Sequence, residues 1–192
     1  MRFAHAVRKD EGIVMLLKVT RFVAIMLTAL TLGAGFCHLM QLPSRTGWDQ
    51  YLWVGSTVQG GLYAMFGSVG AVIFVATVIA LALLAYFVRE HGRPGFRLAL
   101  AAAILFALAL VLWWVLVYPV NVELAKWVNG PVPADWTAYR ARWEWGHAII
   151  SFVELAGFAA LIASVLADTP PHAEEPPKGA SRSTRPRPSR RG

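Results

Sequence analysis

The sequence predicts an all-α fold, a bundle of four transmembrane helices, on three observations. Of the 192 residues, 57% are hydrophobic and 15% are charged, whereas a soluble domain carries about 25% charged residues. The charges fall in short segments between long charge-poor runs. Four such runs exist, each long enough as a helix to cross a hydrocarbon core of about 30 Å.

The first run, 22–42, is uncharged and follows Lys18 and Arg21. It is too long for the apolar region of a signal peptide and lacks a small-x-small cleavage site, so a retained helix is expected. The single cysteine, Cys37, lies inside it, which precludes an intramolecular disulfide. A small buried apolar role is expected for it. The second run, 60–88, is uncharged and long enough to tilt. Gly60, Ala64 and Ser68 recur every four residues, as do Gly67 and Ala71, and this spacing predicts close helix packing in lipid. The third run, 98–120, ends near Pro119, which is expected to stop or kink the helix. The fourth, 143–167, contains Glu144, His147 and Glu154. Asp135 is placed to cap an earlier start. Trp48, Trp53, Trp127, Trp136, Trp143 and Trp145 cluster in or near the first and third loops, as an aromatic belt would.

The basic residues set a topology. Fourteen Lys and Arg lie in segment 1–21, in the second loop and in the tail 168–192, against four in the first and third loops, where Arg45 is the first loop's single one. The positive-inside bias then predicts both termini in the cytoplasm and the first and third loops outside. The tail holds six prolines and few large apolar residues, so it is expected to be disordered. Its arginines suit the anionic inner leaflet better than nucleic acid. Membrane lipids are thus the expected partner, and a homo-oligomer is compatible with so few helices.

Ionisable groups inside a membrane helix are costly, about 2.5–3.5 kcal/mol at the centre on insertion scales. At 100° per residue Arg140, Glu144, His147, Ser151 and Glu154 share one stripe of the fourth helix about 80° wide, while Arg142 points away. Glu154 lies about 15 Å deeper than Glu144, where a carboxyl is expected protonated or hydrogen-bonded. His38, near the outer end of the first helix, shares a face with Thr28, Thr31, Ala34 and Gly35. Topology places His38, Asn121, Glu144 and His147 at one level, so these are the expected site. In the plainer reading Arg140 and Glu144 form an interfacial pair one turn apart and the polar stripe is interhelical glue. Signatures of phosphate loops, dinucleotide folds and serine nucleophile elbows are absent from the sequence.

These residues also carry a resemblance. A Gly-rich first helix ending in His38 is followed by Pro43 and Tyr51. Pro119-Val-Asn121 and Trp127 come next, then Arg140-Ala-Arg142-Trp143-Glu144-Trp-Gly-His147. Over roughly residues 19–167 this resembles the anthrone oxygenase family, small four-helix membrane proteins. The resemblance implies a multi-pass protein of the bacterial inner membrane. It also implies oxidation of a lipophilic anthrone-, phenol- or quinol-like substrate by molecular oxygen, without flavin or haem. Many relatives carry Arg three residues after the histidine, where this chain has Ile150. On this reading His147 or His38 is the base, since histidine titrates near neutrality. Glu144 orients the imidazole, and Asn121 or Arg140 stabilises the enolate oxygen. Trp143, Glu154 and Tyr51 join Arg140 as expected substrate contacts. Glu144-x-x-His147 has the spacing found in di-iron bundles, but a single such motif supports at most one metal with His38. The competing expectation is a non-catalytic membrane scaffold or assembly partner.

Overall fold

A computed structural model describes residues 2–59, 62–90 and 93–168. Among them the regular structure is entirely helical: α1 (Arg2–Arg45), α2 (Gln50–Val54), a π-helical turn (Gly55–Gln59), α3 (Leu62–Val88), α4 (Arg93–Leu112), a second π-helical turn (Trp113–Val117), α5 (Tyr118–Trp127) and α6 (Trp136–Ala167). Four stretches are long and apolar enough to cross a membrane: Glu11–Arg45, Ala64–Val88, Pro94–Trp127 and Trp136–Ala167. The chain is therefore a multi-pass α-helical membrane bundle. The four long units close a square, α1 packing on α3 and α6, and α4 packing on α3 and α6.

The α1–α6 seam shows why these helices meet. On α1, the buried residues Leu17, Ala24, Thr28, Thr31, Gly35, Leu42 and Arg45, with Arg21 and His38 partly covered between them, recur at steps of three and four. That spacing keeps one stripe facing a partner along the whole helix. α6 answers in antiparallel register. Arg21 donates to Asp168, Ser151 Oγ donates to the Gly35 carbonyl at 2.6 Å, His38 meets His147, and Arg45 meets Glu144. The two ion pairs stand about 36 Å apart along α1. Between them the outward residues Phe22, Met26, Leu30, Phe36, Met40, Ile149, Phe152 and Leu155 are apolar, as lipid contact requires.

Several expectations are corrected. Pro119 does not end the third helix, which continues to Trp127. A proline lacks the N–H that the carbonyl four residues earlier would accept. Here the chain takes a π-helical turn, and Arg142 supplies donors to the carbonyls of Val115 at 2.8 Å and Leu116 at 3.2 Å. The first small residues of α3 do not pack within this chain: Ala64 and Ser68 are exposed and a methyl on Gly67 would meet open space. Gly60 of the same pattern lies outside the described residues. Close approach occurs instead at Gly35, Gly146 and Gly157, where an added Cβ would strike the neighbouring helix. Cys37 is exposed on the outer surface, not buried. Trp53, Trp127 and Trp143 are core residues, not belt residues. Trp114 and Trp145 face outward. The tail expected to be disordered lies outside the described residues beyond Asp168. Asp168 itself sits against Gly95, where a side chain would collide with its carboxylate. α6 starts at Trp136, ahead of the apolar run expected from residue 143, though the Asp135 side chain makes no capping bond.

Candidate functional site

The first connection folds over the end of the bundle where α1 stops and α6 starts. Asp49 caps α2 by accepting from the Leu52 N–H at 2.8 Å. This short helix and the π-helical turn after it carry Trp53, Val54, Thr57 and Val58 into the core. Trp53 is fully buried. Its indole N–H donates to Glu144 Oε1 at 2.7 Å. The same oxygen accepts from Arg45 Nε at 2.6 Å, and Arg45 also donates to Thr57 Oγ1 at 2.5 Å. The guanidinium carbon lies 5.1, 5.9 and 5.4 Å from the rings of Trp48, Trp53 and Trp143. The electron-rich faces of these rings stabilise a desolvated cation. Arg45 is 6% exposed and Glu144 1%, so this is a buried ion pair. Arg45 is thus the last residue of α1 and part of the site, not an outer-loop charge.

One layer deeper lie the histidines. The His38 and His147 rings stack with centroids 4.0 Å apart and planes 18° from parallel. Trp143 presents edge contacts to both, at 4.9 Å to His38 and 4.4 Å to His147. Its N–H donates to Asn121 Oδ1 at 2.9 Å. That bond orients the Asn121 amide, leaving its NH2 group to face another partner. Below, Ser151 Oγ lies against Gly35 and bonds the Gly35 and His147 carbonyls. The Glu154 carboxylate presses on the same Gly35. Thr31 and Thr77 share a hydrogen bond of 2.8 Å.

Three polar atoms in this column are buried and have no hydrogen-bond partner among the described residues: His38 Nδ1, Glu144 Oε2 and Glu154 Oε2. Such atoms are uncommon because each forgoes about 1–3 kcal/mol.

The structure brings together His38, His147, Trp143 and Asn121, with Glu144 in the layer above and Glu154 in the layer below. It does not bring the others. Glu144 bonds Arg45 and Trp53 instead of orienting an imidazole, which also replaces the expected pair with Arg140. Arg140 donates to the Trp48 carbonyl and lies over the Trp136 ring at 4.8 Å. Tyr51 is 88% exposed, away from the column. With Glu144 committed to Arg45, no group of three His, Cys, Asp or Glu side chains is gathered for a metal among the described residues. Arg45, Trp53 and Thr57 went unread in the sequence. The available signal was Arg45 itself, two heptad steps beyond Thr31 and one beyond His38 on the same stripe.

No family model, curated protein or solved structure matches the chain.

Proposed function

We propose that this membrane protein is a cofactor-independent oxidoreductase acting on a lipophilic anthrone-, phenol- or quinol-like substrate, as anthrone oxygenases do. The observation that carries the reading is the stacked His38–His147 pair, with His38 Nδ1 buried and unpartnered. A neutral imidazole nitrogen without a donor is available to take a proton. An anthrone methylene, activated by the carbonyl across the ring, yields that proton and leaves a delocalised carbanion. The carbanion adds to dioxygen, giving a hydroperoxide once protonated. Loss of water from the hydroperoxide leaves a second carbonyl. One dioxygen is consumed and one water formed, and the base is regenerated. The Asn121 amide NH2, oriented by Trp143, donates to the enolate oxygen. Arg45 adds a fixed positive charge one layer above. A substrate of this class partitions into the bilayer and reaches the site laterally.

The test is oxygen uptake by the full chain in proteoliposomes with 1,8-dihydroxyanthrone as probe. The expected rate exceeds that of empty liposomes and falls at least tenfold in both His38→Ala and His147→Ala. Full turnover in both variants would remove the base assignment.

A scaffold role is the second reading, favoured by the buried Arg45–Glu144 pair, which ties α1 to α6. It requires that alanine at His147 or Glu154 lower stability in detergent and leave bound small molecules unchanged.

A further inference from the structure

Glu154 is 2% exposed, and one of its oxygens has no partner. It sits near mid-span on α6, about 15 Å below Glu144. No cation is paired with it among the described ion pairs. The groups facing it are few. α1 offers Gly35, Thr31 and, one turn above, His38. α3 offers the Thr77 hydroxyl. α4 carries no ionisable residue from Leu98 to Leu112. On α6 itself the next titratable groups are His147 above and Asp168 at the inner end, the latter held by Arg21. A bare carboxylate in this position would carry an uncompensated burial cost of several kcal/mol.

Gly35 gives the arrangement its shape. The missing side chain leaves a niche into which both Ser151 Oγ and Glu154 Oε2 project. Ser151 donates to two main-chain carbonyls, those of Gly35 and His147, and Glu154 Oε2 stays unpartnered beside it.

We propose that Glu154 is a proton-binding site, a neutral carboxylic acid held in the bundle centre at the niche that Gly35 leaves open. This goes beyond the oxidoreductase reading and does not depend on any substrate.

Infrared spectroscopy of the full chain in proteoliposomes tests it without an activity assay. Wild type is expected to show the carbonyl stretch of a neutral carboxylic acid. Glu154→Gln should abolish it, and D2O should lower its frequency. If Glu154→Gln does not fold, Glu154→Asp keeps the acid and should move the band, and an unmoved band would assign the acid elsewhere and overturn the proposal. Absence of the band in wild type would also overturn it.

Discussion

The two long seams of this bundle are built from different chemistry. Along α3 and α4 the buried side chains are Phe74, Leu81, Leu84 and Val88 against Ala99, Ala102, Phe106 and Ala109, with Phe74 and Phe106 meeting edge to face at 6.4 Å. Along α1 and α6 they are Arg45 with Glu144, His38 with His147, Gly35 with Ser151 and Glu154, and Arg21 with Asp168. Lipid supplies no hydrophobic drive between helices, so shape and dispersion suffice for the first kind of seam. The second kind carries buried polar atoms, three of them without partners. Packing alone does not call for those atoms, and the gathering of three of the four such atoms in one seam, the fourth being Trp127 Nε1 on α5, marks where the chemistry is expected.

Five variants sharpen this contrast. The largest effect is expected at the ion pair. Glu144→Ala strands the buried Arg45 cation and should cost about 3–5 kcal/mol, read by reversible denaturation in micelles. Arg45→Met combined with Glu144→Leu should recover most of that stability, because an apolar pair of similar volume can replace a buried ion pair. It should not recover activity. Full activity in the double variant would break the assignment of this layer to function.

Next come the glycines at close approaches. Gly157→Ala places a methyl 2.8 Å from the Phe106 ring, an overpacking expected to cost about 1–3 kcal/mol. The same change at Gly35 strikes Ser151 and Glu154 and should also disturb ligand binding, whereas Gly157→Ala should leave binding intact in the protein that folds. Equal effects on binding would erase the distinction between the α1–α6 column and the apolar packing of α6 on α4. The smallest effect is expected at Gly67, where the added methyl meets open space. Gly67→Ala should be neutral or stabilise the helix by up to about 1 kcal/mol. Clear destabilisation there would show that the small residues of α3 pack on a second copy of the chain.

The fold was legible because the bilayer imposes a length and an apolarity that hydropathy reports directly. The polar stripe of α6 was legible because helical period alone places Glu144, His147, Ser151 and Glu154 on one side. Partners were harder to read. Arg45 looked like a loop charge because the apolar run stops at residue 42, yet α1 continues through Pro43 to its buried end. Trp53 reaches Glu144 only because α2 and the π-helical turn fold inward, a tertiary fact that no local pattern encodes. The small residues four apart in and before α3 specified that close packing is possible there, not that it occurs in this chain. Pro119 announced a lost hydrogen bond, but its replacement came from Arg142, on the next span.

The most direct measurement of the central claim, that the α1–α6 column is a ligand site, is mass spectrometry of small molecules extracted from purified wild type and from His147→Ala. The account predicts a quinone-like or phenolic aromatic compound in wild type that is lost in a variant retaining its helical content. An empty wild type, with a variant altered only in stability, would contradict it and leave the polar seam as interhelical glue.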